Sequence, residues 1–131
     1  MLDEVSKEKN SSISYVNHKN LSKVKRNLSG ASFDYKGIKS IKINPLGMNQ
    51  VENACLAIEG VLALRELGYK IEEKAIRAGL EKVVMPGRFE VICKKPLVIL
   101  DGGHNVPAAE RLKENIQDYL CDRKIIYILS M

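Results

Sequence analysis

Tryptophan is absent from this chain, and histidine, phenylalanine and cysteine are scarce: two, two and three residues in 131. Cys55, Cys93 and Cys121 are far apart, odd in number and without a C-x-x-C pair. Each sits in an apolar pattern, which predicts packed thiols in a reduced, cytoplasmic setting rather than a disulfide framework. With His18 and His104 the only imidazoles, a Cys/His metal centre is short of ligands. No apolar run approaches the roughly 20 residues of a membrane helix, and Met1-Leu2-Asp3-Glu4 has no signal-peptide character. Nor is there a G-x-x-G-K-[ST] sequence, the glycine-rich loop that cradles nucleotide phosphates.

What is present suits a soluble globular piece with a modest core: 45% of residues are hydrophobic and 28% charged. The net charge of +5 is uneven, since residues 1–50 hold nine Lys or Arg against four acids while the remainder balances. Lys19, Lys23, Lys25 and Arg26 form the densest cluster. Such a cluster attracts an anionic partner, nucleic acid or an acidic substrate tail. It equally suits the lysine-rich, solvated side of an edge strand. No aromatic stacking platform or known nucleic-acid motif accompanies it, which weighs against nucleic acid.

Residues 13–16, 31–35 and 38–43 read as strands, with Lys36-Gly37 as the hairpin turn between the last two. Asn44-Pro45-Leu46-Gly47 breaks the pattern, and a helix follows over about 50–67, with Val51, Ala54, Cys55, Ile58, Val61 and Leu62 facing inward. Glu52, Glu59 and Glu66 recur every seventh residue and predict a wet stripe on it. A second helix spans about 72–82, and Pro86-Gly87 closes the helical region. Strands over 89–93 and 97–100 precede a helix over 106–120 carrying Ala109, Leu112, Ile116 and Leu120. The apolar run 125–131 then reads as a core strand, so that strand 97–100, the helix and this run are expected to make a parallel right-handed βαβ crossover.

The densest chemistry lies between Met85 and Asn105. The short run Leu97-Val98-Ile99-Leu100 stops at Asp101-Gly102-Gly103-His104-Asn105, and Pro107 suits the first turn of a helix. Ligands of open α/β sheets sit outside the carboxyl ends of strands, where helix N-termini offer free N–H groups to anions. Asp101 and His104 therefore mark a candidate ligand site.

Three blocks in this order, Leu46-Gly47-Met48-Asn49-Gln50-Val51-Glu52-Asn53-Ala54, Pro86-Gly87-Arg88-Phe89-Glu90 and Leu100-Asp101-Gly102-Gly103-His104-Asn105, resemble the folylpolyglutamate synthases and bifunctional dihydrofolate synthases of the Mur ligase superfamily. The resemblance covers about residues 12–131. It implies an α/β chain whose residues 1–85 end a central ATPase domain, as a β hairpin plus two helices. Residues 86–131 then begin a Rossmann-like C-terminal domain with its first βαβ part. Family members are about three times longer and start with a P-loop, so the resemblance implies a fragment, inactive alone. A natural truncation, a pseudogene product and a cut piece all fit.

The implied reaction is ATP-dependent amide formation. A folate or dihydropteroate carboxylate becomes an acyl phosphate, which the amine of L-glutamate attacks, with Mg2+ held by residues upstream. Arg88 then offers its planar fork to phosphate oxygens; on residue chemistry alone a surface or interdomain salt bridge, for instance with Glu90, is the better use, and the resemblance reverses that order. Asp101 accepts ribose hydroxyls, or is a turn or capping aspartate. His104 is the catalytic candidate, orienting a phosphate or the incoming glutamate, against the plainer reading of a hydrogen-bonded loop histidine. Asn53 is placed to meet the adenine edge. Asn105 joins the cofactor-binding set, and most simply caps the next helix. This chain departs from the family's blocks twice: Asn49 stands where the family has histidine, which puts any role of that imidazole in doubt, and Gly103 replaces an alanine, a change expected to matter little. The complete enzyme is expected to be a monomer using ATP, glutamate and folate. The competing readings are a non-catalytic remnant or nucleotide-binding module, and a different Mur-type amide ligase.

Overall fold

The computed structural model describes residues 2–130. A short helix α1 (Leu2–Glu8) precedes three strands, β1 (Leu21–Asn27), β2 (Gly30–Tyr35) and β3 (Ile38–Ile43), paired antiparallel in that order. Helices α2 (Met48–Glu66) and α3 (Glu73–Glu81) follow. An antiparallel pair, β4 (Glu90–Lys94) and β5 (Leu97–Leu100), then leads into α4 (Val106–Leu120). The fold is α/β, and the hairpin with two helices stands where the sequence places it. No helix of the described residues is long and apolar enough to cross a membrane.

Lys36 and Gly37 both take positive φ, +45° and +83°, the backbone that a two-residue hairpin turn requires. Around that turn, alternation puts Ala31, Phe33 and Tyr35 of β2 and Ile38, Ile41 and Ile43 of β3 on the inner face. Val51, Ala54, Cys55 and Ile58 of α2 and Ile76 and Leu80 of α3 complete the first core. A second core gathers Leu46, Phe89 and Leu120, with Leu28, Val91, Leu97, Ile99, Leu112, Ile116 and Tyr119 packed around them. Leu28 and Leu46 reach into it from the β1–β2 turn and from the loop before α2.

Four details overturn expectation. Residues 13–16 form no strand. The edge strand is β1 instead, where Lys23 at φ +52° and a register shift between Ser22 and Lys25 break the alternation. Lys23 and Lys25 are exposed on that edge, Lys23 pairs with Asp34 at 3.4 Å, and Arg26 pairs with Asp118 at 2.6 Å. Glu59 is not wet: it is 4% exposed, takes the Tyr35 hydroxyl at 2.5 Å and pairs with Lys36 at 2.8 Å. Cys55 is buried, as expected, but Cys93 and Cys121 are exposed. Finally, 124–130 carries no strand, so the crossover is not closed. A parallel strand needs cover on both faces, and among the described residues β5 and α4 line this segment on one side only, leaving Ile126 and Ile128 exposed.

Candidate functional site

Antiparallel pairing of β4 with β5 sets Glu90 opposite Leu100, so the loop entering β4 and the loop leaving β5 lie side by side. The first is Met85 to Phe89; the second is Asp101 to Asn105. Asp101 joins them. Its Oδ2 accepts the Phe89 N–H at 2.8 Å, and its Oδ1 accepts the N–H of Gly103 at 2.8 Å. The Gly102 N–H reaches the Gly87 carbonyl at 2.7 Å, a second tie between the same loops.

The first loop is further set by Glu90, whose Oε2 accepts the Gly87 N–H at 2.8 Å. That carboxylate is therefore used on backbone, and no ion pair joins it to Arg88 among the described residues. Arg88 is exposed and lines a cavity of about 280 Å3 with Asn44, Pro45 and Val84. Phe89, next to it, is 2% exposed with φ +46°, a backbone that costs an aromatic residue about 1–2 kcal/mol. Its N–H bond to Asp101 and its packing in the second core hold it there.

In the second loop the His104 Nδ1 lies 3.2 Å from the Gly102 carbonyl, which requires the proton on Nδ1 and leaves Nε2 without a partner among the described residues. Asn105 caps α4: its Oδ1 accepts the Ala108 N–H at 2.9 Å. Gly103 matters more than expected. A Cβ there would stand 2.8 Å from Asp101 Oδ1 and 2.9 Å from the Ala108 Cβ, so an alanine forces the loop to shift.

The structure thus brings Arg88, Asp101, His104 and Asn105 into two adjoining loops. Asn53 is not joined to them: it is exposed on α2, its side chain donates to Gln50 Oε1 at 3.1 Å, and it lines neither the cavity beside Arg88 nor the one that reaches Asp101. A residue the sequence did not single out is Tyr119. Its hydroxyl accepts the Gly47 N–H at 3.0 Å, and its ring lies 5.7 Å from Phe89 and 5.9 Å from the Arg26 guanidinium. It ties the start of α2, where Gly47 takes φ +106°, to the loop carrying Arg88. Nothing in local sequence distinguishes it from any other tyrosine near a helix end.

No family model matches the chain. The dihydrofolate synthase/folylpolyglutamate synthase of Bacillus subtilis is 32% identical over 106 residues, which is 77% of this chain and 25% of that protein. The solved folylpolyglutamate synthase of Thermotoga maritima superposes with a TM-score of 0.74 at 35% identity, covering 90% of this chain and 28% of its own. The chain is a relative of the folylpolyglutamate/dihydrofolate synthases. The Mycobacterium tuberculosis folylpolyglutamate synthase, solved with ADP and AMPPCP, matches with a TM-score of 0.73 at 26% identity over 88% of this chain. The chain spans about a quarter of the length of these synthases. The likeness takes in most of this chain, and so both of its cores.

Proposed function

We propose that this chain supplies the adenosine side of the nucleotide site in an ATP-dependent ligase that adds L-glutamate to folate or dihydropteroate. In this reading residues 1–85 end a central domain and 86–131 begin the C-terminal, glutamate-ligating domain. The observation that carries it is the joined pair of loops, because one carboxylate fixes both the loop bearing an unpaired arginine and the turn before a helix N-terminus. Each Asp101 oxygen holds one N–H and keeps a second lone pair, so the carboxylate can still accept two ribose hydroxyls. Arg88, free of Glu90, can turn its fork toward phosphate oxygens.

His104 is assigned the catalytic position, its Nε2, without a partner among the described residues, facing the glutamate amine or a phosphate; Asn105 holds the helix start and keeps its amide donors for ligand. Asn53 contributes an amide to the adenine edge from α2. When bound, ATP supplies phosphoryl transfer to the substrate carboxylate. Among the described residues no three His, Cys, Asp or Glu side chains gather to hold a metal. The Mg2+ ligands and the phosphate loop are assigned to polypeptide upstream of this chain, because its sequence holds no G-x-x-G-K-[ST].

The test is a calorimetric titration of the chain with AMPPCP. Arg88→Ala and Asp101→Asn are expected to weaken binding about tenfold or more, and binding unchanged in both would overturn the assignment. A second assay mixes the chain with ATP, L-glutamate and folate, where no glutamate addition is expected. Product formation would show that the phosphate loop is not required elsewhere.

A further inference from the structure

The start of α2 and the last turn of α4 meet at Gly47. This residue is buried, takes φ +106°, and has no side chain of its own helix to cap it. A buried backbone N–H needs a partner, and this one finds the Tyr119 hydroxyl at 3.0 Å. One turn earlier on the same face of α4, Asn115 is 7% exposed and lies against Gly47: a Cβ on residue 47 would stand 2.8 Å from the Asn115 Oδ1 and 3.2 Å from its Nδ2. Helix α4 therefore approaches α2 as closely as a glycine permits.

Tyr119 is held from its other side as well. Its ring lies 5.7 Å from Phe89, and Arg26, paired with Asp118 at 2.6 Å, stands 5.9 Å over that ring. Phe89 in turn follows Arg88 and gives its N–H to the Asp101 Oδ2 at 2.8 Å. An unbroken run of contacts thus leads from the Gly47 N–H through the tyrosine ring and Phe89 to Asp101. At one end is the helix that carries Asn53; at the other are the loops that carry Arg88 and Asp101. Packing on Phe89 needs only a ring. The hydroxyl adds a directional tie to a backbone donor of the other core, which packing alone does not supply.

On the nucleotide reading above, we propose that Tyr119 is a positioning residue for that site: its hydroxyl sets Asn53, the adenine contact on α2, in register with Asp101 and Arg88, the ribose and phosphate contacts on the two loops. It acts through Gly47 and Phe89, not on the ligand. A nucleotide that spans both sides gains from having them preset, because its second contact then forms without a further cost of ordering.

The experiment is calorimetric titration of the whole chain with AMPPCP, in the wild type and in Tyr119→Phe, each with and without Asn53→Ala or Arg88→Ala. Tyr119→Phe keeps the ring and is expected to weaken AMPPCP binding about fivefold. Asn53→Ala should weaken it by a similar factor in the wild type and by nothing further in Tyr119→Phe, where α2 no longer presents the amide in register. Arg88→Ala should keep its full effect in both backgrounds, because the loop that bears it still meets the phosphates. A tyrosine that only stabilised the fold would leave the Asn53 and Arg88 effects equally intact. A wild type that does not bind AMPPCP overturns the nucleotide reading and this inference together. Binding that Tyr119→Phe leaves unchanged, an Asn53→Ala effect that is absent from the wild type or undiminished in Tyr119→Phe, or an Arg88→Ala effect lost along with it overturns this inference alone.

Discussion

The two hydrophobic cores are built differently. The first buries twelve residues, all from β2, β3, α2 and α3, and closes on itself. The second buries three, and one of them, Leu46, comes from the loop before α2. Its strands number two, its helix one, and its inner side chains are mostly half-buried. Burial of apolar surface is the main favourable term in folding, so the second core draws its stability from contact with the first. The candidate site residues Arg88, Asp101, His104 and Asn105 all sit on loops of the weaker core, where local opening costs least.

Phe89→Ala should strain this contrast most. Removing a 2% exposed ring that contacts Tyr119 is expected to cost about 4 kcal/mol. In native-state hydrogen exchange, amides of β4, β5 and α4 should lose protection while those of β2, β3 and α2 keep it. A loss spread evenly over both cores would mean that they are one cooperative unit.

Next comes Glu59→Gln, which strikes only the first core and is expected to cost about 2 kcal/mol in urea unfolding, discounted because Lys36 is partly exposed. Burial opposes ionisation of Glu59, yet hydrogen bonds from Lys36 and Tyr35 hold its carboxyl below the usual 4.5. A carboxyl depressed on folding lends stability that is fully present above its unfolded pKa and lost as the pH falls through the folded one. The wild type should therefore weaken below about pH 4.5, and Glu59→Gln should flatten that limb. Burial, then the bond to Glu59, pushes the Tyr35 hydroxyl up to about 12. It stays a donor at neutral pH.

Arg26→Ala tests the seam. The guanidinium pairs with Asp118 and lies over Tyr119, and its loss should cost about 1 kcal/mol. A double-mutant cycle with Asp118→Ala should return a coupling of similar size; zero coupling would reduce the seam to apolar contact. An effect of similar size, about 1 kcal/mol, is expected of Gly103→Ala, measured as a lower Tm and faster exchange of the Phe89 amide. An unchanged Phe89 amide would show that the second loop yields without disturbing the first.

Much of this was legible in sequence because periodicity records burial. Phe33, Tyr35, Ile41 and Ile43 alternate, Val51 to Ile58 repeats at helical spacing, and Asn105-Val106-Pro107 announces the start of α4, so β2, β3, α2 and α4 fell close to their predicted bounds. Periodicity fails where burial comes from distant partners. Glu59 reads as wet because its charge is visible while Tyr35 and Lys36, more than twenty positions away, are not. Strand β1 was missed because a bulge at Lys23 scrambles its alternation. The three blocks drew attention to Arg88 and Asp101, which the structure sets on adjoining loops, but could not show that Glu90 serves backbone rather than the arginine, or that Tyr119 stands behind them.

The Asp101 bridge has a consequence for how these loops can change. One side chain receives an N–H from each loop, so position 101 cannot be altered for the benefit of one loop without releasing the other. An amide there keeps one acceptor of the two, and a longer acid moves both anchor points at once. A change at position 101 is thereby felt in both the Met85–Phe89 and Asp101–Asn105 segments, and any graft of this site onto another scaffold must carry both.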